Sequence, residues 1–177
     1  MKQNKPKKIK IVATGPESSG KTTLINALAL HYNEPYAEEF SRIYFDGYDG
    51  KYSLFDVQNI GVGQIDANID NEKKAKKFAF SDTDSTVINI WAKLRFNANI
   101  PMIDDDIEQS QPDLYLLCVP DFPWVYDALR EDPNDRIDIF NAYTALLHRY
   151  NSNYIIIKGS HEERMNTAIN EINKFLN

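Results

Sequence analysis

Apolar residues fall along this chain in two patterns. Apolar runs without polar alternation occur at Ile9–Thr14, Phe78–Ser81, Leu114–Val119 and Tyr154–Ile157, with a weaker one at Pro35–Glu39. A strand buried on both faces reads this way, because neither face needs alternating polar side chains. Between the runs, apolar residues recur every three or four positions. Leu24, Ile25, Leu28 and Ala29 form one stripe, and Val87, Ile90, Trp91 and Leu94 a second. Ile137, Phe140, Tyr143, Leu147 and Tyr150 form a third; Met165, Ala168, Ile169, Ile172 and Leu176 form the last. That period predicts helices with one face on a core. Ser160 and Glu163 have capping-box spacing at the start of the final helix. Strands alternating with helices predict an α/β protein, a parallel sheet covered on both faces.

Composition narrows the class. At 177 residues and 42% hydrophobic, the chain is of single-domain size and large enough for a substantial core. One cysteine, Cys118, makes neither an internal disulfide nor a zinc cluster. No apolar run approaches the roughly 20 residues that span a bilayer, so a soluble, cytoplasmic protein without a membrane partner is expected. The net charge is −6, unevenly spread. Lys2, Lys5, Lys7, Lys8 and Lys10 lie in the first ten residues, which hold no acid; the rest carries 15 basic against 26 acidic side chains, a net of −11. So acidic a body repels polyanions, and no nucleic-acid partner is expected. Residues 1–8 read as a basic, flexible tail leading into a domain spanning 9–177.

The motif that decides the chemistry is Gly15-Pro16-Glu17-Ser18-Ser19-Gly20-Lys21-Thr22, which matches G-x-x-x-x-G-K-[ST] at every fixed position. It stands between an apolar strand and a helical stripe. Gly15 and Gly20 let the backbone curl until successive N–H groups of Glu17, Ser18, Ser19 and Gly20 face phosphate oxygens. The helix that follows, with Lys21, Thr22 and Thr23 in its first turn, adds its positive end. Lys21 is expected at the β- and γ-phosphates and Thr22 in the Mg²⁺ shell, so ATP and Mg²⁺ are the expected cofactors.

Other residues choose among the uses of such a loop. A guanine-reading N-K-x-D is absent; Cys118-Val119-Pro120-Asp121 stands near the fourth strand instead. The run Phe80-Ser81-Asp82-Thr83-Asp84 ends a strand in acids. Asp82 is expected at the metal and Asp84 toward substrate, with helix capping as the other reading of Asp84. Glu38-Glu39-Phe40-Ser41-Arg42 follows the weak strand, where a carboxylate accepts a hydroxyl proton and Arg42 orients it or binds phosphate. Residues 127–136 carry Arg130 and Arg136 around a proline-broken turn, the makings of a cationic lid over the transferring phosphoryl group. The aromatic stretch Tyr44, Phe45, Tyr48, Tyr52 and Phe55 suits either a flat heterocycle or packing of outer helices. Gly61 and Gly63, in a helical stretch, point to close approach by a ligand or another helix.

The P-loop, Glu39-Phe40-Ser41-Arg42, Gly63-Gln64, Asp82-Thr83-Asp84 and Trp124-Val125-Tyr126-Asp127-Ala128-Leu129-Arg130 occur in this order. Together they resemble the ribosylnicotinamide kinase domain of the bifunctional NadR proteins, over nearly the whole chain from Ile9. The resemblance implies a P-loop kinase sheet of strand order 2-3-1-4-5. It also implies transfer of the γ-phosphate of ATP to the 5′-hydroxyl of nicotinamide riboside, giving nicotinamide mononucleotide. It places Glu39, Arg42, Gln64, Asp82 and Asp84 on the acceptor and metal side. Lys21, Arg130 and Arg136 fall at the transferring phosphate, and Gly159 and Ser160 against adenine. Glu39 is favoured as the base, with Asp82 the rival. The family's larger members carry an adenylyltransferase domain, and often a DNA-binding domain, ahead of the kinase; the first ten residues hold neither, so neither activity is expected here. The alternatives are a kinase of another nucleoside and a nucleotide-dependent regulatory switch. Oligomeric state is left open.

Overall fold

The structure, a computed structural model, describes residues 7–47, 51–126 and 134–176. Five strands, β1 (Ile9–Thr14), β2 (Tyr36–Ala37), β3 (Phe78–Asp82), β4 (Leu114–Cys118) and β5 (Tyr154–Ile157), form one sheet in the order β2-β3-β1-β4-β5. All four pairings are parallel. The helices are α1 (Lys21–Tyr32), α2 (Phe40–Tyr44), α3 (Leu54–Lys74), α4 (Ser85–Phe96), α5 (Pro101–Gln109), α6 (Arg136–Arg149) and α7 (His161–Ile172), followed by a 3₁₀ turn at Asn173–Leu176. The expected strand order, 2-3-1-4-5, is what forms.

Alternation along each strand divides the core. Ile11, Ala13, Phe78, Phe80, Leu114, Leu116 and Cys118 face α1 and α7, packing on Leu24, Leu28, Ala168 and Ile172. Val12, Tyr115 and Leu117 face the other layer, built from α3, α4, α5 and α6. The α1 stripe is buried in full. Two other stripes are displaced. Ile137, in the first turn of α6, is 59% exposed, and that helix buries Ile139, Tyr143, Leu146 and Leu147. Leu94 is exposed, whereas Thr86, Ile88, Asn89 and Ala92 of α4 are buried, because α3, α5 and α6 all pack against α4 and widen its covered arc. The weak run at Pro35–Glu39 shortens to a two-residue edge strand, so the residues after Ala37 are released from the sheet.

Residues 1–6 of the expected tail lie outside the described residues. Lys7 and Lys8 are docked: Lys7 Nζ is 2.6 Å from Asp113 Oδ1, and Lys8 Nζ donates to the carbonyl of Lys76. Gly61 and Gly63 both answer to helix packing. A Cβ on Gly61 would meet Ile103 Cδ1 at 2.7 Å, and one on Gly63 would meet the Phe40 ring at 2.2 Å.

Candidate active site

The P-loop turns sharply where β1 ends. Gly15 (φ +130°) lies so close to β4 that a Cβ would meet the Cys118 carbonyl at 2.7 Å. Gly20 (φ +81°) caps α1, and Ser18 (φ +51°) also takes the left-handed region. Ser19 Oγ donates to the Pro16 carbonyl at 2.7 Å, bracing the turn. Lys21 Nζ donates to the carbonyls of Gly15 (2.9 Å) and Pro16 (2.7 Å), so the ammonium lies back over the loop. Thr22 and Thr23 are exposed in the first turn of α1, and Glu17 sits half-buried in the loop.

Asp82, last residue of β3, is 2% exposed, and its Oδ1 has no hydrogen-bond partner. Burial pushes its carboxyl above the ordinary carboxylate range. The Thr22 hydroxyl, Lys21 and Arg42 oppose that shift, and Glu39 adds to it. Those same five side chains were singled out from the sequence, and the fold gathers them around the end of the sheet. Glu39 is the N-cap residue of α2; Oε1 accepts from Ser41 Oγ at 2.8 Å, and Oε2 is 3.8 Å from Arg42 Nε. Two carboxylates therefore share a small region with two cations beside the phosphate loop. Between the acids, Thr83 is held at φ +105°, a conformation a β-branched residue rarely adopts, with its hydroxyl buried and unpartnered.

Two expected substrate contacts have other partners. Asp84 caps α4: Oδ1 accepts from Thr86 N at 2.9 Å and Thr86 Oγ1 at 2.5 Å, and Oδ2 accepts from the Tyr115 hydroxyl at 2.7 Å. It borders a cleft between α3 and α5, with Lys10, Asn68, Glu72 and Asp106. Both oxygens are satisfied in a buried network, which is the geometry of the capping reading. Gln64 is 1% exposed, and its amide is spent on protein: Oε1 accepts from Phe40 N at 2.7 Å, while Nε2 donates to the Glu38 carbonyl and to Asn68 Oδ1. Three members of the aromatic stretch, Tyr44, Phe45 and Tyr52, pack inward. Phe45 and Tyr52 meet Trp91, whose Nε1 donates to the Tyr52 hydroxyl, and Tyr44 donates to Asp56. Phe55 is exposed, and Tyr48 lies outside the described residues.

Of the lid arginines, Arg130 lies outside the described residues. Arg136, at the start of α6, donates from Nη1 to the carbonyls of Phe122 (2.9 Å) and Ser18 (3.4 Å), which ties α6 to the P-loop. Gly159 (φ +89°) donates its N–H to Asp121 Oδ2 at 2.7 Å, and Ser160 forms the expected capping box with Glu163.

Arg164 escaped the sequence reading. It is 2% exposed and reaches three loops: Nη1 donates to Ser19 O, Nη2 to Val119 O and Nε to Gly159 O, each at 2.9 Å. It also pairs with Asp121 and lies 4.5 Å over the Phe122 ring. One signal was available: Arg164 stands four and eight residues before Ala168 and Ile172, a charge on an apolar stripe.

A family model described as an AAA domain matches residues 10–164. The chain belongs to that AAA-domain family. The trifunctional NAD biosynthesis/regulator protein NadR of Salmonella typhimurium (strain LT2) is 33% identical over 164 residues, covering 87% of this chain and 39% of the relative. The Escherichia coli (strain K12) protein of the same name is 32% identical with the same coverage. The chain thus spans about two fifths of the length of these curated relatives. A crystal structure of NadR in complex with NR superposes with a TM-score of 0.79 at 22% identity, over 96% of this chain and 51% of that one. Thymidylate kinase from Ehrlichia chaffeensis gives 0.64 at 16% identity, over 97% and 100%. Both share the fold. Among the described residues no helix is long and apolar enough to cross a membrane.

Proposed function

We propose that this chain transfers the γ-phosphoryl group of ATP to the 5′-hydroxyl of nicotinamide riboside, giving nicotinamide mononucleotide and ADP. The observation that carries the reading is the gathering of Asp82, Glu39 and Arg42 beside Lys21 and Thr22 of the P-loop. A kinase uses a carboxylate base at the acceptor hydroxyl, and this reading gives that role to Glu39. Homology to NadR, named for NAD biosynthesis, supports the choice of acceptor.

In this reading Lys21 leaves the Gly15 and Pro16 carbonyls and neutralises the β- and γ-phosphates, which the loop N–H groups cradle. The residues fit Mg²⁺: Thr22 offers a hydroxyl and Asp82 a buried oxygen without a partner. Bound there, Mg²⁺ supplies charge neutralisation to the phosphates. Glu39 accepts the proton of the 5′-hydroxyl as that oxygen bonds to the γ-phosphorus and the bond to the bridging oxygen of ADP breaks. Arg42 orients Glu39. Arg130 and Arg136 close over the phosphoryl group and exclude water, which would compete as acceptor. The segment around Gly159 and Ser160 lies along adenine.

The test is ADP release from ATP and Mg²⁺, alone and with nicotinamide riboside, uridine, cytidine or thymidine. Stimulation by nicotinamide riboside, with the mononucleotide as product and loss of turnover in Lys21→Ala, is expected. Stimulation by another nucleoside alone moves the acceptor; stimulation by none overturns the kinase reading.

A further inference from the structure

Three amide side chains on α3, Gln64, Asn68 and Asn71, sit at i, i+4 and i+7 and therefore share one face of the helix. Each is spent on the backbone of a neighbouring segment. Asn71, 4% exposed, donates to the Phe80 carbonyl at 2.7 Å. Asn68 donates to the carbonyl of Thr83 at 3.2 Å, the residue of positive φ that follows Asp82. Gln64 grips the turn on both sides of Glu39, accepting from Phe40 N and donating to the Glu38 carbonyl. Gln64 and Asn68 are joined by a 3.0 Å hydrogen bond, so the turn carrying Glu39 and the strand end carrying Asp82 are connected through one pair of amides.

The turn needs such a hold. β2 pairs with β3 only at Tyr36 and Ala37, so the sheet stops two residues before Glu39. Phe40 N is the first amide of the five-residue α2, and a helix's first amides lack an intrahelical acceptor. Gly63 completes the seat, because any side chain there would meet the Phe40 ring. Glu39-Phe40 and Gly63-Gln64, separated in sequence, are one physical unit.

We propose that Gln64 and Asn68 are positioning residues, an amide strut that sets the Glu39 carboxylate relative to Asp82; the catalytic part rests on the kinase reading above. Neither touches the reacting atoms. Their work is to hold two acidic groups, one borne on a turn and the other on a strand end, in one frame before substrate arrives.

Gln64→Met and Asn68→Leu keep roughly the side-chain volume and delete the amides. In Gln64→Met, kcat is expected to fall about 10²-fold, the scale of an ångström-sized misplacement, while KM for ATP stays within about twofold. Exchange of the Phe40 amide hydrogen with solvent deuterium should accelerate at least about tenfold, since its acceptor is gone. Asn68→Leu should lower kcat with less effect on Phe40 exchange, and the double variant should lose much less than the product of the single losses. Unchanged kcat in both variants, or parallel loss of kcat, ATP affinity and melting temperature, overturns the proposal. If the unaltered chain phosphorylates no nucleoside, the kinase reading falls on that result. Phe40 exchange then decides the strut: unaltered protection in Gln64→Met overturns it and faster exchange upholds it.

Discussion

Arg164→Met removes a guanidinium and leaves a side chain of comparable length. Three carbonyls, of Ser19, Val119 and Gly159, lose their donor together. An orphaned buried acceptor costs about 1–3 kcal/mol. The lower figure applies, because loops at the end of a sheet relax and admit water, which gives about 3 kcal/mol for the three. Asp121 adds little: its side chain is 31% exposed, and Oδ2 keeps the Gly159 N–H. For a domain of this size about 3 kcal/mol lowers Tm by roughly 6–12 °C. Calorimetry without nucleotide measures it directly. Arg164→Lys should recover only part of the loss, because one ammonium cannot span three loops as the planar fork does. Asp121→Asn, which retains an acceptor for Gly159 N, should cost much less. A melting temperature for Arg164→Met within about 2 °C of the unaltered protein would refute the reasoning, since all three carbonyls would then have found other donors at no cost.

Gly63→Ala drives a methyl into the Phe40 ring, whereas Gly61→Ala meets the tip of Ile103; each overpacking costs about 1–3 kcal/mol, offset by about 1 kcal/mol of helix propensity. Similar small shifts in Tm are expected, with kcat falling in Gly63→Ala only, as paired steady-state assays would show. Asp82→Asn should raise the Tm of the nucleotide-free protein at neutral pH and abolish turnover. Its folded carboxyl titrates above the unfolded value, so stability falls as pH rises through that window and remains lower above it. A Tm at or below that of the unaltered chain would contradict the burial argument. Burial pushes the Cys118 thiol up to about 11, so it should resist alkylation at pH 8 in the folded protein and react once denatured. The same sign makes the Cys118 contribution decline between about pH 9 and 11, measurable as a narrowing Tm gap to Cys118→Ala.

The sheet was legible because its inner strands β3 and β4 are buried on both faces and carry continuous apolar runs, and β1 departs from that only at Lys10. The phosphate loop was legible because a backbone cradle demands glycines at fixed spacing. What stayed hidden depends on partners distant in sequence. Asp84 and Asp82 look alike in Asp82-Thr83-Asp84, yet one meets Tyr115 and Thr86 and the other meets Thr22, Lys21 and Arg42. The bonds of Gln64 to Phe40 and Glu38, 24 and 26 positions away, cannot be read from sequence. Helix α5, Pro101–Gln109, carries four acids in nine residues and buries only Ile103 and Ile107, so its stripe is too thin to announce itself. Arg164 needed partners 43 and 145 positions away.

The place of β1 at the centre of the sheet bears on how the chain is made. It pairs with β3 and β4, whose first residues come 64 and 100 positions after Thr14. At about 5–20 residues per second, β1 waits roughly 3–13 s on the ribosome before the first strand that can shield it is synthesised. An unpaired Ile9–Thr14 is a template for association with other nascent chains. Lys7, Lys8 and Lys10 flank and interrupt it with charge, and in the finished fold they turn to Asp113, Lys76 and Ser110 beside those late-arriving strands. The basic cluster thus has two successive employments, as a solubility guard during synthesis and then as a latch once the partners arrive.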